Sequence, residues 1–174
     1  MARREQLKKK IGTGLLLFLG NDEVGMNYAD NTYSFRQDST FLYFFGLDFA
    51  GLAAIIDIDE NLTIIFGNEL TIDDIVWTGT QPTLKEKCEM VGVTESMPLN
   101  QLKSYLDKGK SKGQTVHFLP PYRGDHRIWL WELLGIELAA QGERTSIPFI
   151  QAVVDMRNHK DEEELKLIEE AVDL

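Results

Sequence analysis

The feature that most constrains the fold is a pair of apolar runs joined by a very short polar link. Residues 52–59 and 62–66 are rich in the aliphatic side chains that favour strands. The link between them is Asp59-Glu60-Asn61, which is typical of a tight turn. The pattern therefore predicts an antiparallel hairpin, and with it a β-sheet, in the first half of the chain.

Strand-like runs and helical stripes alternate along the rest of the sequence. Further short strands are predicted over residues 15–19, 91–94 and 115–119, and an extended segment over 147–154. Helices are predicted over residues 3–11, 80–90, 99–106 and 125–140, and from Asp161 onwards. The alternation predicts an α/β domain with a mixed β-sheet flanked by helices.

Capping residues and apolar stripes place these helices more closely. Ser96 is predicted to cap the helix over 99–106, and residues 109–113 are predicted to form a loop. Asp125 is predicted to cap the helix over 125–140. The core-facing side chains of that helix are predicted at helical spacing: Ile128, Trp131, Leu134 and Leu138.

Composition excludes several classes of function. The net charge of −10 argues against a nucleic-acid partner, because phosphates require a face rich in Lys and Arg. The single cysteine, Cys88, permits no internal disulfide and fits a reducing compartment. It falls at helical spacing and is predicted to pack as a small hydrophobe. No apolar run approaches the length of a membrane span, so we expect a cytoplasmic protein without a membrane partner.

Few residues suggest a self-contained active site. Asp57 and Asp59 follow an apolar run, as in haloacid-dehalogenase-like phosphatases or two-metal nucleases. The immediate turn back into residues 62–66 leaves no loop to hold a phosphate, so a solvated strand end is the simpler interpretation. The three histidines, His117, His126 and His159, lie outside any metal-binding spacing and are predicted to be structural or surface residues.

One segment combines polar and aromatic side chains in an unusual way. Residues 36–40 are polar, and residues 41–45 include Phe41, Tyr43 and Phe45. The polar residues are suited to cap a short helix that the aromatic side chains anchor to a core. The preceding residues, 21–34, carry glycine, asparagine and aspartate and are predicted to form a loop.

Residues 36–46 (RQDSTFLYFFG) resemble a segment of the N-terminal domains of Xaa-Pro aminopeptidases. Tyr28-Ala29-Asp30 is similar to the loop that precedes it in that family. Residues 76–79 (VWTG) resemble the family's stretch after the hairpin. Residues 156–171 resemble the segment that connects the family's N-terminal domain to its catalytic domain. That connecting segment begins with Met-Arg. These segments span nearly the whole chain in the family's order.

The resemblance implies a creatinase-like α/β fold with a topology similar to that of ribonuclease H. In the family a C-terminal pita-bread domain binds two divalent metals, usually manganese, and removes an N-terminal residue that precedes proline. None of its metal-ligand motifs lies in this chain, so no catalytic residue and no metal ligand is assigned here, and the chain alone is expected to be inactive.

The family's N-terminal domain helps to build a homo-oligomer and narrows access to a neighbouring subunit's active site. The residues that match this role are Asp30, Trp77 and, less closely, Arg36. The resemblance thus implies three partners: the chain's own catalytic domain, further copies of the protein and a proline-containing peptide. Two alternatives to an exposed contact stay open, a core position for Trp77 and an ordinary loop turn for Asp30.

The last helix bears on domain organisation. Leu165, Ile168 and Val172 form an apolar stripe that reaches the end of the chain. We therefore expect a creatinase-like domain over residues 1–155, and over 156–174 the start of a linker helix into a C-terminal domain. The alternatives are the N-terminal domain of a prolidase, or a stand-alone module that binds a protein partner through residues 41–45.

Overall fold

The computed structural model describes residues 2–173 and centres on a five-stranded sheet in the order β4-β3-β2-β1-β5. The strands are β1 Leu15–Leu19, β2 Ala53–Asp57, β3 Leu62–Gly67, β4 Glu95–Pro98 and β5 Val116–His117. The β1, β2 and β3 strands are antiparallel neighbours, whereas β4 and β5 each add a parallel edge. The predicted mixed sheet and its central hairpin are confirmed.

The hairpin turn needs one backbone conformation that most residues avoid. Asn61 has a φ of 51°, in the left-handed region that asparagine tolerates better than most side chains. Its amide donates to the Ile58 carbonyl at 3.2 Å and closes the turn. The polar link read from the sequence therefore supplies the residue type that the turn requires.

Helices flank the sheet, and most of them pack on its two faces. They are α1 Ala2–Ile11, α2 Ser39–Phe45, α3 Ile72–Thr78, α4 Leu84–Met90, α5 Leu102–Ser111, α6 Gly124–Leu134, α7 Ile147–Asn158 and α8 Glu162–Val172. Two 3-10 turns cover Leu99–Gln101 and Gly142–Arg144. Within the described part of the chain, no helix is both long and apolar enough to cross a membrane.

The sheet divides the core into two layers. Leu16 and Phe18 of β1 point to the face covered by α1, α2, α4 and α7. Leu15 and Leu17 point to the face covered by α5 and α6. A strand buried on both faces is apolar at every position, which explains the continuous run in the sequence.

The segment predicted to be extended, residues 147–154, is instead part of α7. Ser146 caps this helix by accepting from the Phe149 amide, and Pro148 occupies its first turn. Phe149, Val153 and Met156 are buried at helical spacing. Aromatic and β-branched side chains favoured a strand locally, but burial along one helical face outweighs that preference.

Of the four core-facing side chains predicted for α6, only Leu134 is confirmed, as a partly buried residue packed against the core. Ile128 and Trp131 are 50% and 52% exposed, and Leu138 lies beyond the helix and is 43% exposed. The buried side chains are instead His126, Leu130 and Leu133. Both faces of α6 carry apolar residues, so periodicity alone does not separate them. The helix ends at Leu134, before Gly135 in the left-handed region, and Asp125 lies in its first turn rather than at its cap.

Several other helices and strands begin or end at residues that differ from the prediction. The helix predicted over 80–90 begins only at Leu84, after a capping box formed by Thr83 and Glu86, and α3 was not predicted. The strand predicted over 91–94 lies instead at Glu95–Pro98, so Ser96 is in a strand and caps no helix. β5 is shorter than the predicted 115–119.

The predicted loop over 109–113 is partly helical, because α5 continues to Ser111. Gly109 allows this helix to approach the sheet, since a Cβ there would lie 2.4 Å from Leu15 Cδ1. The predicted domain boundary between residues 155 and 156 falls inside α7 and stays a prediction.

Candidate functional site

The strand register brings the chain's irregular segments to one edge of the sheet. Leu19 at the end of β1 pairs with Ala53, which pairs with Phe66 near the end of β3. β5 is parallel to β1 and ends on the same side. The segments that follow β1, β3 and β5 therefore leave the sheet together, and we call this side the loop edge.

The segment after β1 is a long loop over residues 20–38 with exposed apolar side chains. An isolated bridge between Gly25 and Thr32 folds it back on itself. Met26, Tyr28 and Tyr33 are each more than half exposed. Asp30 is exposed near the tip, and its carboxylate makes no hydrogen bond within residues 2–173. The structure therefore does not support an ordinary side-chain turn at Asp30.

Two buried amides fix the base of this loop. Gln37 Oε1 accepts from the backbone amides of Asn21 and Asp38 at 2.6 and 2.8 Å, and Gln37 Nε2 donates to the Phe49 carbonyl at 2.8 Å. Asn21 Nδ2 donates to the Arg36 carbonyl at 2.8 Å. Both side chains are nearly inaccessible, at 4% for Asn21 and 2% for Gln37. The tip of the loop is open to solvent, but its two ends are held rigidly.

A cleft of about 540 Å³ lies beside this base. Its walls come from both ends of the loop and from the segment after β5, and include Asn21, Tyr33, Arg36, Tyr122 and Arg123. The Arg36 side chain is exposed. Sequence reasoning missed Asn21, Tyr122 and Arg123, and the only signal nearby was the Pro120-Pro121 pair that ends β5.

Trp77 projects into solvent from α3. Thr71 caps this helix, and its hydroxyl and backbone amide form a capping box with Asp74. Trp77 is 87% exposed, and Ile72 and Val76 on the same short helix are 80% and 73% exposed. A core position for Trp77 is therefore wrong. It lies in the last turn of α3, a helix that extends from the loop edge.

The aromatic side chains that follow Arg36 pack mainly in the core. Asp38 Oδ1 accepts from the amides of Thr40 and Phe41 and caps α2. Phe41, Phe44 and Phe45 are buried, and Phe45 packs edge-on against Phe18 at 5.2 Å. These three rings are unavailable to a partner. Of the segment that a stand-alone binding module was expected to use, only Leu42, at 40% exposure, and the half-buried Tyr43 reach solvent.

Asp57 and Asp59 are engaged in hydrogen bonds rather than arranged around an open centre. Asp57 is 2% exposed and accepts from Tyr105 at 2.8 Å and Gln114 at 2.9 Å, so the predicted solvated strand end is wrong for this residue. Asp59 accepts from Thr13 at 2.5 Å, and this bond is the main cause that lowers the pKa of Asp59. No cluster of three or more potential metal ligands occurs among the described residues.

The histidines and the cysteine hold structure together. His117 Nδ1 lies 2.7 Å from Ser146 Oγ, which also caps α7, and His126 Nε2 lies 2.9 Å from the Gly20 carbonyl. His159 ends α7 and is exposed. Cys88 is buried, and burial raises the pKa of its thiol to about 11, which confirms its prediction as a packing residue.

Comparison with known proteins defines the class of the chain. The profile of the family described as "Aminopeptidase P, N-terminal domain" matches residues 1–119. The match covers more than half of the chain and includes β1, the loop over residues 20–38 and both antiparallel pairs. The chain therefore belongs to the aminopeptidase P N-terminal domain family.

Similar curated proteins bear the corresponding enzyme name. A probable Xaa-Pro aminopeptidase of Chaetomium globosum is 30% identical over 62% of this chain and 18% of its own length. One of Aspergillus clavatus is 25% identical over 98% of this chain and 33% of its own length. The chain thus spans at most about a third of the length of these relatives.

Solved structures share the fold. A zinc-substituted E. coli aminopeptidase P in complex with product superimposes with a TM-score of 0.74 at 20% identity, over 95% of this chain and 39% of that chain. The proline aminopeptidase P II of Yersinia pestis gives 0.74 at 18% identity, over 95% and 40%. The α/β fold inferred from the sequence is therefore the fold of these proteins' corresponding segment.

Proposed function

We propose that this chain is the N-terminal domain of a metal-dependent aminopeptidase that removes an N-terminal residue preceding proline, and that the domain controls access to a neighbouring subunit's active site. The observation that carries the proposal is Trp77, which stands 87% exposed on a helix at the loop edge. A large aromatic surface held out in solvent favours contact with a partner or a ligand.

The catalytic chemistry would lie outside this chain. The curated relatives named Xaa-Pro aminopeptidase are about three or more times longer than the part that matches. A following domain would bind two divalent metals, with manganese our expectation, and would activate water for attack on the Xaa-Pro bond. The described residues offer no cluster for such metals, so we assign this domain a shaping role and expect it to be inactive alone.

The loop edge would supply the subunit contact. Ile72, Val76 and Trp77 form an exposed apolar face on α3, and Met26 and Tyr28 are exposed on the loop that carries Asp30. Apolar side chains on one side of a domain are typical of an interface that closes on assembly. Asp30 and Arg36 would then lie where a partner subunit and a peptide meet. A buried lone thiol fits our expectation of a cytoplasmic enzyme.

The test is the substitution Trp77→Ala in the full-length protein that contains this chain. Because Trp77 is so exposed, the variant should keep the wild-type melting temperature while kcat/KM for an Xaa-Pro peptide falls at least about tenfold. Met90→Ala, which also removes an exposed apolar side chain but at the end of α4 away from the loop edge, is the matched control. Equal activity of Trp77→Ala and wild type would remove Trp77 from the site, and inactivity of the wild-type protein with manganese on every Xaa-Pro peptide would refute the enzyme assignment.

A further inference from the structure

The cleft at the base of the loop contains a buried acceptor without a donor. Asn21 Oδ1 is inaccessible to water and has no hydrogen-bond partner among the described residues. The other polar atoms of Asn21 are engaged: its amide donates to Gln37, its Nδ2 donates to Arg36 and its carbonyl accepts from Gly51. An unsatisfied buried acceptor is costly, and it calls for a donor that arrives from elsewhere.

A second group in the cleft lacks an opposite charge. Within residues 2–173, the Arg36 guanidinium makes no ion pair or hydrogen bond, although the chain carries 28 acidic residues. Arg123, on the opposite wall, is already engaged by Asp125 at 2.6 Å. The free guanidinium is therefore available to bind a carboxylate through paired hydrogen bonds.

The other residues that line the cleft restrict which anionic ligand it can bind. Asp22 and Glu23 also line the cleft, and their carboxylates would repel a ligand with several negative charges. Tyr33 and Tyr122 offer ring faces to an apolar side chain, at 58% and 69% exposure. The cleft thus fits a singly charged ligand with a nearby N–H donor and some apolar surface.

We propose that this cleft binds the carboxyl-terminal residue of a peptide, with its carboxylate on Arg36 and its amide N–H directed to Asn21 Oδ1. A peptide C-terminus carries both groups on one residue, and a volume of about 540 Å³ accommodates that residue and its neighbour. Tyr122 contacts Asn21 Nδ2 only at 3.4 Å, so its exposed ring can move aside to admit the ligand. The inference deepens the proposed function and rests on it for the choice of a peptide.

The test uses this 174-residue chain, ¹⁵N-labelled, and two tripeptides: N-acetyl-Ala-Ala-Ala with a free carboxyl terminus and its C-terminal amide. The blocked N-terminus makes both peptides unsuitable for an aminopeptidase site, so the result is independent of whether the full-length protein is an enzyme. The free acid should shift the resonances of Asn21, Gln37 and Ser39, and the amide should bind at least about tenfold more weakly. Free alanine is a third ligand, since it carries a carboxylate without an acylated N–H, and it should also bind more weakly.

Arg36→Gln should weaken binding of the free acid at least about tenfold. Arg144→Gln is the matched control, because Arg144 is exposed and lies outside the cleft. Equal binding of acid and amide, unchanged binding by a folded Arg36→Gln variant, or no shift in the cleft at about 10 mM peptide would each overturn the inference. Failure of the enzyme assignment alone would leave these peptide titrations unchanged.

Discussion

Single polar residues connect elements that the apolar core does not join. The buried guanidinium of Arg4 in α1 donates to the Phe44 carbonyl at 2.9 Å and to the Val91 carbonyl at 2.6 Å. These carbonyls lie at or near the ends of α2 and α4, where helices leave acceptors unpaired. One side chain near the N-terminus thus satisfies two helix ends that are distant in the sequence.

Arg4→Met should destabilise the fold by about 3 kcal/mol, because two buried carbonyls lose charged donors while most of the side-chain volume is kept. Urea unfolding of the 174-residue chain measures this loss. Lys9→Met, on the exposed side of the same helix, should change the free energy of unfolding by less than about 0.5 kcal/mol. Similar values for the two variants would contradict the role given to Arg4.

His117 should make stability depend on pH. Burial lowers the pKa of His117, because imidazolium would lose water. A hydrogen bond with the Thr13 backbone and the carboxylate of Asp59 oppose this only in part. The unfolded chain, in which histidine titrates near its usual pKa of about 6.5, therefore binds the proton first as the pH falls. The stabilising contribution is present above that pKa and is lost towards lower pH.

His117→Asn should consequently lose less stability than wild type between about pH 7.5 and 5, measured by urea unfolding at each pH. His159→Asn, an exposed control, should follow the wild-type curve. The comparison with wild type cancels carboxylates that do not interact with His117 and whose pKa values are also lowered, such as Asp107. Parallel curves for wild type and His117→Asn would exclude a contribution from this histidine.

At the scale of elements, sequence patterns identified a helix more reliably than its buried face. α6 was predicted as a helix, but the choice between its two apolar sides depends on where the sheet lies. Leu130 is 1% exposed, whereas Ile128 is 50% exposed. The sequence predicted an extended segment where α7 lies, and the cap of that helix, Ser146, contacts His117 across 29 positions. Local signals define elements, and long-range contacts decide their orientation.

Leu130→Ala should cost about 2–5 kcal/mol of stability, as expected for a buried leucine whose removal leaves a cavity. Ile128→Ala on the opposite side of α6 should cost less than about 1 kcal/mol. Thermal and urea unfolding of both variants compare the two faces directly. Equal losses would mean that both sides of this helix are covered.

For the whole molecule, the sequence predicted the architecture and only part of the site. The mixed sheet followed from the hairpin and the alternation of elements, and Asp30, Arg36 and Trp77 followed from family resemblance. The cleft beside Arg36 was not predicted, because Asn21 and Tyr122 meet across 101 positions. No motif joins such residues, and only the parallel pairing of β1 with β5 brings them together.

The helix α8 offers an apolar surface through which this domain would contact a C-terminal domain. None of its described residues is buried, and Leu165, Ile168 and Val172 are 48%, 48% and 78% exposed. Among the described residues, Arg3 forms the ion pairs that link α8 and its capping residue to the rest of the domain. It pairs with Asp161 at 2.9 Å and with Glu164 at 3.2 Å. Exposed pairs of this kind contribute at most about 1 kcal/mol each.

Amide hydrogen exchange should therefore be fast in α8 of the 174-residue chain and slow in the buried turns of α7. In the full-length protein, a C-terminal domain that covers the apolar stripe should slow exchange in α8 at least about tenfold. Burying even one such side chain contributes more free energy than a tenfold slowing of exchange requires. Exchange in α7 is the internal control, because its contacts with α1 exist in both proteins. Unchanged exchange in α8 would mean that its stripe stays open to solvent, and that the two domains are joined by a flexible connection rather than a docked helix.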